Sequence, residues 1–268
     1  MISRSRAGMS RPRDEMPAAD RPRLDDPVSI LMPVCNERDT IEEVVREWID
    51  EVVRFLPEGS EFRFDDASTD GTREVLETLA REYPFVKVYH QDHKDGFGAA
   101  TMRLYNAATC PLVFFTDSDG QYVPGEFWKL VPHVPMADIV HGTKTNRQDP
   151  FHRLAASRTF NFIAHRLLTV PFGDINSAFR IVKREALAAI LPHIRHMPTL
   201  VNTEMLVRAA MAGMRIVEVP VRHRRRAHGR SKGLPLGSFL RECRLAYRGL
   251  LAMRKEFAAD AGRLPADT

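Results

Sequence analysis

The chain has 268 residues, 44% of them hydrophobic and 28% charged, which is enough to bury a sizeable core, and no apolar stretch approaches the ~20 residues that cross a bilayer. Cys35, Cys110 and Cys243 are scattered and form no CxxC, which argues against a disulfide framework or a cysteine zinc site and implies a reducing, cytoplasmic setting. The net charge of +4 is mild and suits phosphate-bearing ligands, anionic lipid or nucleic acid, while the N-terminal arginines precede no apolar segment and so form no secretory signal.

Residues 1–26 are rich in Arg, Pro and Asp without apolar periodicity and are expected to form a disordered tail. A basic arm is the alternative, diluted by Asp14, Glu15, Asp20, Asp25 and Asp26. Val28-Ser29-Ile30-Leu31-Met32 predicts a buried first strand that stops at Pro33. Asn36 or Asp39 is placed to cap a helix whose apolar positions Ile41, Val44, Val45, Trp48, Val52 and Phe55 recur at helical spacing. Glu61-Phe62-Arg63-Phe64 alternates as a second strand and leads into Asp65-Asp66-Ala67-Ser68-Thr69-Asp70-Gly71-Thr72, where Ser68 or Asp70 can cap a second helix. Val86 to Tyr89 predicts a third strand, Gly96-Phe97-Gly98 the start of a third helix, and Leu112 to Thr116 a fourth strand.

The second half changes character. Ile139-Val140 predicts a strand entering His141-Gly142-Thr143-Lys144, and Phe151 to Val170 carries a long helical pattern. Gly173 to Arg180 reads as a loop entering a short strand, followed by a helix near Asn202 to Met211 and a strand near Arg215 to Val221. A cationic loop, Arg222 to Lys232, precedes a final helix expected to place Leu240, Cys243, Tyr247, Leu250 and Leu251 on one face. Arg241, Arg244, Arg248, Arg254 and Lys255 flank that face, which can lie on a membrane or pack on the protein.

Strand and helix alternate from residue 28 to 120, which implies a mainly parallel sheet covered by helices on both faces. Such sheets bind ligands beyond the carboxyl ends of their strands. Polar clusters fall at three of those ends: Asn36-Glu37, Asp65-Asp66, and Asp117-Ser118-Asp119-Gly120-Gln121. Residues i and i+2 of a strand point the same way, so Asp117 and Asp119 can face one pocket. Two carboxylates so close repel unless a cation lies between them, and a hard divalent ion suits that oxygen environment. A polar turn is the plainer reading of Asp-Ser-Asp-Gly.

The ordered set of Pro33-Val34-Cys35-Asn36-Glu37, Asp65 to Thr72, Asp117 to Gln121, Asp174 through Ser177 to Arg180, Glu204, and His223 through Arg226 to Lys232 resembles family 2 glycosyltransferases with the GT-A fold. The pattern is most similar to the branch of dolichyl- and polyprenyl-phosphate sugar transferases. Ala67 and Ala178 stand where that family commonly has glycine, and Lys144 where it often has arginine, a change that removes bidentate phosphate contact. The resemblance implies a GT-A domain over residues 27–235, with residues 236–268 forming an amphipathic helix and tail.

It also implies site roles. Pro33, Asn36, Glu37, Asp66 and Asp117 would bind the nucleotide of a UDP- or GDP-sugar, with Asp65 the more structural of its pair. Asp117, Asp119 and Gln121 would hold Mg²⁺ or Mn²⁺ against the donor diphosphate. Lys144, Arg153, Ser157, Ser177, Arg180, His223, Arg226, Ser231 and Lys232 would line the diphosphate and acceptor sides, with Arg226 assisting catalysis. The plainer readings are helix-dipole complementation for Glu37 and Asp39 and a nucleic-acid patch for the cationic loop, which lacks aromatics for base stacking. No nucleic-acid partner is therefore expected.

Family 2 enzymes invert the anomeric centre. A polyprenyl phosphate acceptor at a membrane surface needs no strong base, whereas a hydroxyl acceptor needs a carboxylate, for which Asp174 and Glu204 are the candidates. An inactive GT-A binding protein is the rival class, but no motif carboxylate is missing. A nicotinamide dehydrogenase fails because Gly96-Phe97-Gly98 has Thr101 where its fingerprint needs a third glycine. A sugar-phosphate nucleotidyltransferase would want a glycine-rich first loop in place of Pro33 to Glu37.

Overall fold

The computed structural model describes residues 16–145, 159, 162–167, 172, 174–224 and 236–261. Among the described residues seven strands form one sheet: β1 (Val28–Val34), β2 (Glu61–Asp66), β3 (Val86–His90), β4 (Leu112–Phe115), β5 (Ile139–Thr145), β6 (Arg180–Lys183) and β7 (Ile216–Arg222), in the order β3-β2-β1-β4-β6-β5-β7. Only β6 runs against its neighbours β4 and β5; the remaining pairs are parallel. The expected mainly parallel α/β sheet is thus present. Consecutive strands leave β1 on opposite sides, to β2 and to β4, so a crevice opens at their carboxyl ends.

Among the described residues the named α-helices are α1 (Ile41–Glu51), α2 (Thr72–Glu82), α3 (Phe97–Ala107), α4 (Phe127–Leu130), α5 (Arg184–Ile190), α6 (Val201–Met211) and α7 (Leu236–Ala261). Residues 159 and 162–167 are also helical, and the rest of the helix expected over Phe151 to Val170 lies outside the described residues. In α1 the helical repeat places Ile41, Val44, Val45, Trp48 and Ile49 on the buried stripe. The core centres on Phe114 of β4, whose ring lies 4.8 Å from Phe179, 5.0 Å from Phe127 and 5.4 Å from Trp48. A side chain of that kind contributes through area and ring geometry together.

Three sequence expectations need correction. β1 continues through Pro33 to Val34. Its last partner on β4 is the pair Leu31–Phe115, and Thr116 N donates to the Leu31 carbonyl. Pro33 faces that same side, where the ladder has ended, so its missing N–H costs no bond. Second, the described part of the segment read as a disordered tail, residues 16–26, packs on the domain. Arg21 lies 4.1 Å over the Phe55 ring and pairs with Glu51 at 3.0 Å, a contact an extended polar segment makes only because two aromatic rings wait for it.

Third, α7 buries another face than the predicted one. Ala246, Leu250 and Met253 are buried with Phe257 half-buried, whereas Cys243 and Tyr247 are exposed. The rotation is set by its neighbours. A Cβ on Gly249 would lie 2.6 Å from Met197 Cγ, and Glu256 pairs with Arg195 (2.7 Å), His196 (2.6 Å) and Arg208 (3.1 Å). Arg241, Arg244, Arg248 and Lys255 are left on the outer face. Among the described residues no helix is long and apolar enough to cross a membrane.

The loop that carries His196 and Met197 also presses on α3. A Cβ built on Gly98 would lie 1.6 Å from the Pro198 carbonyl oxygen. Gly98→Ala must therefore push backbone apart, and it should cost about 1–3 kcal/mol. Urea denaturation measures this; an unchanged midpoint would show that the approach is looser than described.

Candidate active site

The loops after β1 and β2 are sewn together by side chains. Asn36, with φ at +56°, donates its N–H to Ser68 Oγ (2.7 Å) and accepts from Thr69 N at Oδ1 (2.8 Å). Glu37 N donates to Thr72 Oγ1 (2.9 Å) and Arg38 N to Asp70 Oδ2 (3.4 Å). Asp70 Oδ1 accepts from Thr72 N (3.1 Å) and Oγ1 (2.6 Å), capping α2 from one residue beyond Gly71. Asn36 thus binds the neighbouring loop and does not cap α1. The Glu37 carboxylate accepts from Thr40 Oγ1 at 3.4 Å.

Asp65 and Asp66 divide their work. Adjacent strand residues point to opposite faces. Asp65 accepts Arg103 Nε (2.7 Å) and Nη2 (2.9 Å), and Arg103 is shared with Asp95. It is a structural carboxylate that ties β2 to α3. Asp66 accepts Ser68 N at Oδ1 (3.1 Å), and its Oδ2 lies 3.1 Å from His90 Nδ1. These contacts use two of its acceptor positions, and the side chain is buried. Pro33 sits level with Asp65 in the ladder.

Asp117 and Asp119 follow β4 directly, both half-buried, in the crevice beside β1. Asp119 Oδ1 accepts Gln121 N (3.0 Å), an Asx-type turn that fixes the carboxylate, while Gln121 Nε2 donates to the Arg224 carbonyl (3.2 Å). Gly120 supplies the left-handed φ of +68°. Tyr122 comes next. Burial first, and then the Asp117 charge, push its phenol up, with Lys144 opposing. Ala178 N donates to the Tyr122 oxygen (3.0 Å), and the hydroxyls of Tyr122 and Ser177 lie 3.1 Å apart. The ring also meets Lys144 Nζ at 5.7 Å and the His223 ring at 5.0 Å.

Beneath these groups lies Arg180, fully buried, donating to the carbonyls of Asn202 (2.7 Å) and Ser177. Burial lowers its pKa, and Asp117, Asp174 and the phenols of Tyr105 and Tyr122 oppose that shift. Arg180 is thus held by carbonyls inside the fold, and its buried guanidinium is not placed for the direct phosphate contact expected from the sequence. Asp174 is buried as well. His141 Nε2 donates to the Asp174 carbonyl (2.7 Å), and Nδ1 has no hydrogen-bond partner among the described residues. Burial, with Arg180 and Lys144 nearby, drops the His141 pKa from 6.5 to about 3. This neutral histidine, Tyr122 and Arg224 were not assigned from sequence; Tyr122 alone has a local signal, its place directly after the acidic motif.

Glu204 is not available as a proton acceptor. It is fully buried, and its oxygens take Arg195 N (3.0 Å), His196 N (2.8 Å), Met197 N (2.6 Å) and Arg208 Nε (2.9 Å). It holds the loop that supports α7. Arg153, Ser157, Arg226, Ser231 and Lys232 lie outside the described residues. Among the described residues no cluster of three metal-ligating side chains exists. Two half-buried carboxylates, Asp117 and Asp119, are nonetheless the oxygen donors that a hard divalent ion would take.

Residues 29–191 match the sequence profile of Glycosyl transferase family 2. The chain is 30% identical over 222 residues to Glycosyltransferase AglD of Haloferax volcanii, covering 80% of this chain and 35% of the relative, so it spans about a third of that protein. It superposes on glucosyl-3-phosphoglycerate synthase from Mycobacterium tuberculosis in complex with Mn²⁺, uridine-diphosphate and phosphoglyceric acid, with a TM-score of 0.64 and 20% identity over 85% of this chain and 78% of that one. Mannosyl-3-phosphoglycerate synthase from Rubrobacter xylanophilus gives 0.59 and 18% over 91% and 77%.

The buried neutral histidine makes a pH prediction. Unfolded, His141 protonates near 6.5; folded, it resists until about 3. Its contribution to stability is complete above 6.5 and is lost as pH falls through that window. His141→Gln keeps a donor toward the Asp174 carbonyl and cannot titrate, so its stability should fall less between pH 6.5 and 5. Urea denaturation across that range decides it, and parallel curves would refute the assignment.

Proposed function

The chain belongs to glycosyltransferase family 2 and has the GT-A fold, and from that premise we propose that it transfers a sugar, with inversion, from a nucleoside-diphosphate donor to a phosphate-bearing acceptor. The observation that carries this reading is Asp117 and Asp119 at the end of β4, in the crevice between β1 and β4. Glu37 and Asp66 flank the crevice as nucleotide-binding groups beside Pro33 and Asn36. Asp117 and Asp119 would hold Mg²⁺ or Mn²⁺, with Gln121 adjoining, and such an ion neutralises charge on a leaving diphosphate. The Mycobacterium synthase complex joins a nucleotide, a divalent ion and a phosphate-bearing molecule in one such fold.

The acceptor oxygen forms a bond to the anomeric carbon as the bond to the nucleoside diphosphate breaks. With Glu204 committed to four N–H donors, Asp174 is the one remaining carboxylate of the two candidates, and it is buried. A phosphate acceptor is already an anion and requires no proton removal, which favours it over a hydroxyl. Lys144 and His223 stand on that side around Tyr122, while Ser177, expected from the sequence to contact the ligand, is fully buried behind the Tyr122 hydroxyl. Arg153, Ser157, Arg226, Ser231 and Lys232 are assigned to the two phosphate groups by resemblance. Arg226 would offset charge on the leaving diphosphate. The outer cations of α7 suit a lipid-linked acceptor at an anionic surface.

A thermal-shift panel tests the donor. UDP or GDP with Mn²⁺ should raise the melting point by several degrees at saturating ligand. Asp119→Asn should abolish the Mn²⁺-dependent part. If no nucleotide or nucleotide sugar moves the transition, the transferase reading fails.

A vesicle experiment tests the membrane reading. The protein should cosediment with vesicles rich in anionic lipid and release as salt rises. Replacing Arg241, Arg244 and Arg248 by Gln should weaken binding by about 1 kcal/mol per cation. Absence of binding by the intact protein would refute a surface-bound acceptor.

A further inference from the structure

Arg224 makes more contacts with the Asp119–Gln121 turn than a residue just past the end of a strand requires. Its Nε donates to the Gly120 carbonyl (2.6 Å) and its N–H to the Gln121 carbonyl (2.8 Å). Its own carbonyl accepts Gln121 Nε2 (3.2 Å). Its guanidinium then forks onto Glu47 of α1, Nη1 to Oε1 at 2.9 Å and Nη2 to Oε2 at 2.5 Å. The same turn is braced from beneath by α1, where Val44 Cγ2 would lie 3.1 Å from a Cβ on Gly120. One residue earlier His223 bridges to Tyr122, and before it Arg222 binds Glu126 through N (3.0 Å) and Nε (2.7 Å). The end of β7 is therefore clamped along the whole segment that follows Asp119.

We propose that Glu47 and Arg224 are positioning residues that set the Asp119 carboxylate for the divalent ion. The chain of contacts is short. Glu47 orients the guanidinium, Arg224 fixes the Gly120 and Gln121 peptides, and the Gln121 N–H holds Asp119 Oδ1. The pair itself is poor as a source of stability. Its side chains are 40% and 30% exposed, and an ion pair so open to water contributes little to folding. Its bidentate geometry is specific to arginine; lysine cannot hold Gly120 and both Glu47 oxygens at once. A carboxylate that must meet a small cation with defined geometry benefits from a partner of this kind, and loss of such supporting contacts typically weakens metal affinity about 10–100-fold.

The proposal rests on the metal reading of Asp117 and Asp119. The test uses the full chain, Mn²⁺ and UDP, with Mn²⁺ affinity read by electron paramagnetic resonance and folding by thermal unfolding. Glu47→Ala and Arg224→Lys should each weaken Mn²⁺ binding in the presence of UDP by about tenfold or more. Glu47→Gln, which keeps one acceptor, should fall between them and wild type. Melting points and UDP affinity without metal should stay close to wild type, which a merely structural pair would not permit. Unchanged Mn²⁺ affinity in Glu47→Ala and Arg224→Lys would overturn the proposal, as would loss of the fold in Glu47→Ala and Glu47→Gln alike. If wild type binds UDP but no Mn²⁺, the metal reading falls and takes the clamp with it; if wild type binds Mn²⁺ and the variants match it, the clamp alone falls.

Discussion

Arg180 is wholly buried and keeps its proton, so the elements around it must accommodate one positive charge in an interior of low dielectric. They do so with the carbonyls of Ser177 and Asn202 and with the negative charges of Asp117 and Asp174. Removing that cation would leave Asp117 and Asp174 without its compensating charge, and removing the carboxylates would leave the cation less compensated. His141 responds to the same field: beside a fixed positive charge and away from water it stays neutral. The charges around Arg180 are therefore set by groups from the turn after β4, from β5, from β6 and from the loop before β6.

Rigidity around the crevice has a different source. Parallel strands end together, so their loops lie side by side, and short polar side chains can bridge them. Asn36 to Ser68 and Thr69, Glu37 to Thr72, and Arg38 to Asp70 are such bridges. Each is a modest hydrogen bond in net energy, but together they leave the two loops little freedom to move apart. Helix α1 serves both sides, since Trp48 packs on Phe114 in the core while Glu47, its neighbour in sequence, meets Arg224 at the surface.

Residues of one chemical type are separated here by what surrounds them. Asp65 and Asp66 are adjacent, yet one is locked to Arg103 and the other to Ser68 N and His90. Asp174 and Glu204 are both buried acids. Glu204 is saturated by main-chain N–H groups and Arg208, which makes it a fastening for the 195–197 loop. Glu256 continues that fastening to α7. Burial alone would raise its pKa, but Arg208, His196 and Arg195 outweigh burial and hold it at about 2.

Much of this was legible in the order of residues. Alternating apolar runs and helical repeats are local signals, so the strands, the parallel sheet and the three polar clusters at its edge follow from sequence. The ordered motifs likewise pointed to the family, because their spacing reflects a fixed path between strand ends. What sequence could not decide is what faces what. The stripe Ala246, Leu250, Met253 and the stripe Cys243, Tyr247, Leu250 both have helical spacing, and only Met197 and the partners of Glu256 select the first. Glu204 and Asp174 look equivalent as letters until donors from residues 195–197 occupy one of them. Arg224 and Glu47 stand far apart in the chain, and only the return of β7 beside the β4 loop joins them. Local pattern is set by neighbours in sequence and was readable; burial, charge compensation and long-range hydrogen bonding are set by neighbours in space, and the tertiary structure alone decided them.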